Sequence, residues 1–388
     1  MRSSTVRISD GPLASVDLVE LGAATGLLWR SPEATLVGLG DVRRVTVEHG
    51  GAIEVGSIGF VTLPFDRSAS GVMLVPEIVL RETGVERVLQ TIGEQSIDDV
   101  ATLVDAVLAQ PIATPPREVV VELDRTADSW RDDVVSVARD RIANSDLQKA
   151  VLARLLTLRA SSDIPVRTAV ASLASRFDHV MLFAIDGFIG ASPELLVSRK
   201  DRTVRAHPLA GTAARSADAS IDEQNVELLL ASSKDRVEHQ ITIDWLLTEL
   251  LEFCSYVDAE PEPSVLTLAN VHHLGTLVEG VLSEPAPSIL DLVAAVHPTP
   301  ALGGAPQAEA LGLIAELEGF DRGRYGGPTG WVDADGNGEF AVSVRAAQID
   351  GPTARVVAGV GVVAQSDPQA ELEETQAKFR AMLGALLR

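Results

Sequence analysis

The chain contains little cysteine and few aromatic residues. Of its 388 residues, one is cysteine (Cys254) and 4% are aromatic. A lone cysteine cannot form a disulfide within the chain, which is typical of proteins from a reducing compartment. Because aromatic side chains are scarce, Val, Leu, Ile and Ala must fill the core. The hydrophobic content of 46% predicts a globular protein rather than a disordered one.

The chain also lacks long apolar runs. No run approaches the roughly 20 residues that a membrane-spanning helix needs. The first ten residues contain Arg2 and Arg7 but no apolar stretch of the kind found in signal peptides. We therefore expect a cytoplasmic protein that does not enter a membrane.

Positive charge is scarce as well. The chain has 32 Lys and Arg residues but 55 Asp and Glu residues, which gives a formal net charge of −23. Such a surface repels nucleic acids and anionic membranes, so the composition argues against both as partners. An anionic small molecule would need a local group of cationic side chains or a metal ion.

The order of the predicted elements indicates an α+β fold. Residues 1–115 contain mostly short apolar or alternating runs broken by Gly, Pro and Asp, which predicts a β-rich layer, with one helix over Ile97–Ala109. Three prolines in the segment 110–116 predict a linker. From residue 128 onward, strands and helices follow one another without regular alternation, which favours large antiparallel sheets. Helices are predicted over Asp128–Ile142, Pro165–Arg176, Ser233–Phe253 and Pro368–Leu387, and two short helices are predicted on either side of the Pro- and Gly-rich segment 295–306. Strands are predicted over Leu147–Leu158, Val180–Val197, Val265–Ala269, Leu274–Leu282, Gly330–Val332, Glu339–Ala347 and Ala354–Val363.

Two of these helices carry acidic residues at helical spacing. Asp235 and Glu238 lie three residues apart, as do Glu371 and Glu374, so each pair shares one helix face. A few carboxylates from two helices suit Mg²⁺, which usually takes one or two of them together with substrate oxygens and water. Alternatively, both pairs belong to ordinary charged helix faces, and the pattern alone favours this alternative.

Two further residues are candidates for acid–base chemistry. Lys149 lies in the apolar run Leu147–Leu158, where a face shared with Val151 could desolvate it, lower its pKa and make it a base. Glu194 follows the turn Ala191-Ser192-Pro193 and could be a general acid if its surroundings raise its pKa. Alternatively, Lys149 extends from an edge strand to water and Glu194 is a surface residue beside a turn. The sequence alone favours both alternatives.

Other residues are candidates for binding carboxylates. Gly211 and Thr212 belong to a segment that could offer backbone N–H groups. Tyr325 and Arg345 could bind a second carboxylate, since the arginine fork is its preferred bidentate partner. A structural role for Arg345 within an apolar strand remains an equal alternative.

Two patterns carry less information. Adjacent His272 and His273 would point to opposite faces of a strand, so at most one can face a site. Asp333–Gly338 begins like a calcium-binding EF-hand loop, but the twelfth position is Val344 rather than Glu, and we interpret the segment as a hairpin turn. The sequence contains no P-loop, dinucleotide-binding glycine pattern, CxxC pair or HExxH motif.

The most informative segment is 295–306, with the sequence AVHPTPALGGAP. Its three prolines and two glycines exclude a regular helix or a central strand. The segment resembles a motif of the chorismate-utilising enzymes, in the form typical of isochorismate synthases. Seven further segments between about residues 128 and 388 resemble motifs of that family in the same order: LQKAVLAR, GASPELL, PLAGTAAR, SSKDRVEH, HHLGT, RYGGPTGWVDADGNGEF and SDPQAELEETQAK.

This resemblance implies a fold and a domain organisation. We expect one chorismate-binding enzyme domain over residues 1–388, with a variable β-rich part at 1–115 and the motif-bearing catalytic part at 128–388. The family fold is α+β, with two large antiparallel sheets packed together, helices outside and the site between the sheets.

The resemblance also implies roles for the candidate residues. Lys149 corresponds to the base that activates water, and Glu194 to the acid that protonates the departing 4-hydroxyl. The implied cofactor is Mg²⁺, with ligands Glu238 and Glu374 and, through water, Asp235 and Glu371. Residues implied to contact the substrate are Gly211, Thr212, His273, Ala301, Leu302, Tyr325, Arg345, Gly361 and Lys378, of which Tyr325 and Arg345 bind the enolpyruvyl carboxylate.

Three positions indicate the branch of the family. Ala210 stands where aminodeoxychorismate synthases carry a nucleophilic lysine, and Lys149 where anthranilate-type enzymes usually have glutamine. Ala301 stands where salicylate synthases tend to have threonine. Together they predict an isochorismate synthase, which converts chorismate reversibly to isochorismate by water attack at C2 and loss of the C4 hydroxyl.

Two alternatives remain open: a salicylate synthase, which also eliminates pyruvate, and a non-catalytic ligand-binding homologue. The product could feed menaquinone or siderophore synthesis. We expect chorismate as the small-molecule partner, no amidotransferase subunit, and a monomer.

Overall fold

A computed structural model of the protein describes residues 3–50, 57–84, 86–268 and 271–387, apart from the side chains of Ser3, Lys234, Asp235 and Glu238. Within these ranges the strands are β1 Ser3–Arg7, β2 Leu27–Arg30, β3 Ala34–Val47, β4 Gly59–Thr62, β5 Gly71–Thr83, β6 Glu86–Ile92, β7 Val119–Leu123, β8 Lys149–Ala160, β9 Met181–Ile185, β10 Phe188–Ser192, β11 Leu195–Lys200, β12 Thr203–His207, β13 Leu209–Ala214, β14 Cys254–Ala259, β15 Ser264–Thr267, β16 Val271–Gly275, β17 Val278–Leu282, β18 Gly304–Ala305, β19 Pro328–Val332, β20 Gly338–Val342, β21 Ala346–Asp350 and β22 Thr353–Val362.

Helices cover both outer sides of these strands. None of those in the described ranges is long and apolar enough to cross a membrane. A π-helical segment, Trp130–Val135, joins α3 to α4, so that the predicted helix over Asp128–Ile142 is one continuous helical stretch. The α-helices are α1 Leu18–Thr25, α2 Ile97–Leu108, α3 Ala127–Ser129, α4 Ser136–Ala143, α5 Val166–Arg176, α6 Ala219–Ala231, α7 Ser233–Leu251, α8 Ile289–Val296, α9 Gln307–Glu318 and α10 Pro368–Leu386.

Most strands belong to one continuous antiparallel sheet with two arms. The arms share the long strands β3 and β5, whose pairing is shifted by a bulge between Leu39 and Val42. One arm continues through β2, β9, β10, β21 and β22 to β8 and β7. The other continues through β4, β19, β20, β11, β12 and β17 to β14. A separate small sheet has the order β13-β16-β15.

The two arms pack face to face around an apolar layer. Trp29 and Phe183 enter this layer from one arm, and Phe60 and Trp331 from the other. A second apolar cluster lies between the first arm and α1, α2, α5 and α10, and a third between the second arm and α7 and α8. The predicted α+β architecture, with two large antiparallel layers packed together and helices outside, is therefore confirmed.

Several element boundaries differ from the predictions. The strand predicted over Leu274–Leu282 is interrupted between β16 and β17, which belong to different sheets. The strand predicted over Glu339–Ala347 is interrupted between β20 and β21. The strand predicted at Val265–Ala269 is β15, and Ala269 lies outside the described residues. Helices α1 and α6 were not predicted. Only Leu229 of α6 is buried. A helix that buries so little needs no apolar stripe, and without that stripe the sequence gives no sign of it.

Candidate active site

One cleft brings together most of the residues predicted from the sequence. The space in and around it, including open solvent at its mouth, is about 820 Å³. Glu371 is buried on α10 but is not part of the lining, and the side chains of Asp235 and Glu238 on α7 lie outside the described residues. The predicted residues that line the cleft are Lys149, Glu194, Gly211, Thr212, His273, Ala301, Leu302, Tyr325, Arg345, Gly361, Glu374 and Lys378.

Lys149 is the first residue of β8 and is placed there by the Pro- and Gly-rich segment. Ala305 of β18 pairs with Lys149, and Gly303 accepts a hydrogen bond from the N–H of Val151 at 2.9 Å. Lys149 is only 3% exposed, and both Lys149 and Val151 line the cleft. This burial argues against the alternative that the lysine extends into bulk water.

Glu194 lies in the turn after β10 and lines the same cleft. The turn is fixed by two hydrogen bonds, from the Glu194 N–H to Ser192 Oγ at 3.2 Å and from the Val342 N–H to the Glu194 carbonyl at 3.1 Å. The residue is 7% exposed, and burial raises the pKa of its carboxyl to about 7, against the opposite effects of the Leu209 backbone and of Arg345 and other cations. Its Oε1 atom has no hydrogen-bond partner among the described residues. Such a carboxyl can carry a proton near neutral pH and deliver it to a ligand.

Arg345 does not lie within a strand, contrary to the prediction. It occupies the interruption between β20 and β21 with φ = 50°, in the left-handed region that non-glycine residues rarely adopt. Two hydrogen bonds shape the interruption, from the Val344 N–H to the Val342 carbonyl at 2.8 Å and from the Ala191 N–H to the Arg345 carbonyl at 3.1 Å. Arg345 lines the cleft, and backbone strain of this kind is concentrated at functional sites.

His273 of β16 connects Arg345 to the β13 backbone. Its Nε2 atom lies 3.2 Å from Arg345 Nη2, and its Nδ1 atom lies 3.1 Å from the Gly211 carbonyl and 3.2 Å from Thr212 Oγ1. Because arginine can only donate, Nε2 must accept and Nδ1 must carry the proton. Burial, followed by the charge of Arg345, lowers the pKa of His273 to about 3. The imidazole is therefore neutral.

The neighbouring His272 points away from the cleft, as the alternation along a strand predicts. Its Nε2 atom lies 3.1 Å from Asp222 Oδ1, and its Nδ1 atom lies 3.0 Å from Thr267 Oγ1. Its contacts are therefore with α6 and β15, outside the cleft.

Tyr325 and Lys378 both contact the backbone of Gly359, and Lys378 also forms an ion pair with Glu374. Tyr325 is 7% exposed, and its hydroxyl is hydrogen-bonded to the Gly359 backbone; burial raises the pKa of this tyrosine. Lys378 donates to the Gly359 carbonyl at 2.8 Å and to Glu374 Oε1 at 2.7 Å. Burial raises the pKa of Glu374, but the hydrogen-bonded Lys378 and the charge of Arg345 together lower it by more, so this carboxyl is ionised.

Gly359 is a cleft residue that the sequence did not indicate. It contributes its main chain, and no side-chain pattern can mark a residue that acts in this way. The sequence also did not indicate the apolar lining residues Val344, Val357 and Met382, because such residues cannot be distinguished in a sequence from core residues.

Helix α10 carries two of the carboxylates predicted to bind a metal ion. Glu371 and Glu374 lie one turn apart on α10, and their oxygens are the donors that Mg²⁺ prefers. Among the described side chains, no three His, Cys, Asp or Glu residues converge closely enough to hold a metal ion. The two further predicted carboxylates, at positions 235 and 238, fall outside that set.

Comparison with known proteins identifies the family of this chain. The sequence pattern of the family described as chorismate binding enzyme matches residues 65–387. The chain belongs to this family.

Individual members of the family align over much of the chain. It is 40% identical over 257 residues to the isochorismate synthase DhbC of Bacillus subtilis, which covers 63% of this chain and 65% of that protein. It is 36% identical over 340 residues to the MenF protein of Mycobacterium tuberculosis, covering 84% of this chain and 85% of that protein. The structure of MenF, the menaquinone-specific isochorismate synthase from Escherichia coli, superposes with a TM-score of 0.83 and 25% sequence identity, over 99% of this chain and 94% of that one.

Proposed function

We propose that the chain is an isochorismate synthase, an isomerase that converts chorismate reversibly to isochorismate. The observation that carries this proposal is the pairing of a buried lysine, Lys149, with a buried carboxyl, Glu194, whose pKa is about 7, in one cleft beside Arg345 and Lys378. Relatives named isochorismate synthases are 35–40% identical to this chain. A base, an acid and cations for carboxylates are the groups that this reaction needs.

In the proposed mechanism, the two buried groups act on opposite ends of the rearranging ring system. Lys149, as the free amine, accepts a proton from the water molecule that attacks C2. The ring double bonds shift, the C4–O bond breaks, and Glu194 gives its proton to the departing hydroxyl. In the reverse direction the ionised Glu194 and the protonated Lys149 exchange roles, which accounts for reversibility.

The substrate carboxylates would be bound by the groups that surround these two residues. Arg345, held by His273, and Tyr325 would bind the enolpyruvyl carboxylate. Lys378 adds a second positive charge. The remaining predicted contacts, which shape the cleft through backbone and small or apolar side chains, are Gly211, Thr212, Ala301, Leu302 and Gly361.

Mg²⁺ is the proposed cofactor, and the ionised Glu374 fits it. The ion would be held by Glu374 and Glu238, with Glu371 and Asp235 behind them through water. When bound, it would neutralise the ring carboxylate of the substrate. Lys378, which is 2.7 Å from Glu374 Oε1, keeps that carboxylate ionised and ready for a metal.

We further propose that the chain forms a single domain. The strands of residues 1–115 and of 128–388 pair within the same sheet, as β2 does with β9 and β4 with β19. This pairing supports one domain in which both parts build the scaffold. We further propose that the chain acts on chorismate in the cytoplasm, as a monomer, without an amidotransferase subunit. It would feed either menaquinone or siderophore synthesis.

Isotope labelling tests the proposal. Chorismate incubated with the protein and Mg²⁺ in ¹⁸O-labelled water should give isochorismate with one heavy oxygen at C2. Because the reaction is reversible, label should also appear at C4 of the recovered chorismate. Unlabelled isochorismate would contradict water attack. Stoichiometric pyruvate and salicylate would assign the chain to the salicylate synthases, and no conversion at all would favour a non-catalytic homologue.

A further inference from the structure

A buried ion pair lies directly behind the cleft. Glu318, at the end of α9, and Arg322, in the following turn, have side chains that are 2% and 3% exposed. Arg322 Nη2 donates to Glu318 Oε1 at 2.5 Å, and Arg322 Nε donates to Oε2 at 2.8 Å. The guanidinium also stacks on Phe65, with Cζ 4.3 Å from the ring centroid. Neither member of the pair is among the described residues that line the cleft.

The pair occupies a gap along one edge of β8. On this edge β18 pairs with the first two residues of the strand, and β7 pairs with the strand from Leu156 onward. Between them, Arg322 Nη2 donates to the Val151 carbonyl at 2.6 Å, and Glu318 Oε1 accepts from the Ala153 N–H at 2.7 Å. Two side chains therefore replace the ladder hydrogen bonds that a strand would make beside the position of Lys149.

Arg322 also contacts two other segments of the cleft, one through its guanidinium and one through its backbone carbonyl. Arg322 Nη1 donates to the carbonyl of Leu302 at 3.1 Å, and the Arg322 carbonyl accepts from the N–H of Tyr325 at 3.1 Å. Val151, Leu302 and Tyr325 all line the cleft. The pair thus joins β8, the Pro- and Gly-rich segment and the turn of Tyr325.

We propose that Glu318 and Arg322 are positioning residues for the reaction, which hold these three segments in register around the substrate. The proposal rests on the isochorismate synthase function given above. A buried ion pair is by itself weak support for stability, because desolvation of both charges offsets their attraction. This pair instead fixes the relative positions of the segments, because the planar guanidinium of Arg322 donates hydrogen bonds to the carbonyls of Val151 and Leu302 at the same time.

Glu318→Asp is the first test, because it keeps the charge but shortens the side chain. Withdrawing the carboxylate by about 1 Å should release the Ala153 N–H, shift β8 and lower kcat about 10²-fold in folded protein. Arg322→Lys keeps the positive charge but loses the planar guanidinium, and we expect a comparable decrease in kcat. The matched control is Glu316→Asp on the same helix, where Glu316 forms an exposed bidentate pair with Arg141, with both distances at 2.6 Å. This control should retain the kcat of the wild type.

The measurements are kcat and KM for isochorismate formation well below the melting temperature of each variant, together with circular dichroism. A low kcat in folded Glu318→Asp, with normal activity in Glu316→Asp, supports the proposal. Wild-type kcat in either folded variant, a change confined to melting temperature, or failure of both variants to fold would overturn it. Absence of isochorismate formation by the wild type in the same assay would instead contradict the proposed function.

Discussion

Arg345 donates a hydrogen bond to the unprotonated Nε2 atom of His273 across 3.2 Å. The direction of this bond is fixed, because arginine has no acceptor and the pKa of His273 is about 3. The imidazole therefore remains an acceptor throughout the physiological pH range. It orients a guanidinium whose backbone conformation, with φ = 50°, is already strained, and it does so without cancelling the positive charge.

Removing this acceptor should weaken substrate binding. We expect His273→Leu to raise KM for chorismate about tenfold or more, since a hydrogen bond to a charged group contributes about 1.5–3 kcal/mol. Steady-state kinetics measure the effect. His272→Leu is the matched control, because that histidine points to Asp222 and should affect stability but not KM. Equal increases of KM in both variants would contradict the positioning of Arg345 by His273.

The raised pKa of Glu194 predicts an alkaline limit to activity. As the pH rises through about 7, the free enzyme loses the proton that Glu194 must donate. The value of kcat/KM in the direction of isochorismate formation should therefore fall above that pH, because kcat/KM reports the pKa values of the free enzyme. Glu194→Gln should lower kcat by about 10²–10⁴-fold and should abolish the decrease of kcat/KM at high pH. A wild-type profile that stays flat from pH 6 to 9 would exclude Glu194 as the acid.

The same carboxyl should make stability depend on pH. Its folded pKa of about 7 lies above the ordinary value of 4.5, so between these values the folded protein binds more protons than the unfolded chain. The contribution of Glu194 to the free energy of unfolding is thus fully present below about 4.5 and is lost as the pH rises through 7. Relative to the wild type, Glu194→Gln should gain on the order of 3 kcal/mol between pH 4.5 and pH 8. Urea unfolding at both pH values measures this gain, and the exposed Glu252→Gln should show none.

Motifs in the sequence located both Lys149 and Glu194, but not what makes them reactive. They share the cleft with Gly359 of β22 and Lys378 of α10, which lie roughly 200 residues away along the chain. The strained backbone of Arg345 has no local signal either, since left-handed residues are expected at Gly or Asn. Gly359 acts through its main chain. Patterns in sequence report residue types and periodicity, whereas these features arise from long-range packing.

Gly304 offers a test of how closely the Pro- and Gly-rich segment approaches Lys149. Its φ is 137°, and a Cβ atom at this position would overlap the Lys149 carbonyl oxygen. Gly304→Ala should therefore destabilise the protein by roughly 2–4 kcal/mol and lower kcat. In the adjacent Gly303→Ala the nearest heavy atom would be 3.5 Å away, an ordinary contact. Similar unfolding midpoints for the two variants would show that the segment lies farther from β8.

Removal of the metal should abolish turnover without unfolding the protein. Excess EDTA should stop isochorismate formation, and Mg²⁺ should restore it. Glu374→Gln should raise the Mg²⁺ concentration needed for half-maximal activity by at least about 10–100-fold. The neighbouring Glu373→Gln, at an exposed position on α10, should leave it unchanged. Full activity of the wild type in EDTA would rule out the metal.

The charges of the cleft have a kinetic consequence. Arg345 and Lys378 make its described lining cationic once Glu194 is protonated and only Glu374 is ionised, although the whole chain carries a net charge of −23. The net charge of the protein repels the substrate dianion at a distance, and the cationic cleft attracts it at close range. At 0.1 M, salt screens the long-range repulsion over about 10 Å, but it weakens the attraction within the partly buried cleft much less. Moderate ionic strength should therefore accelerate association of the substrate, the reverse of what electrostatically steered enzymes show.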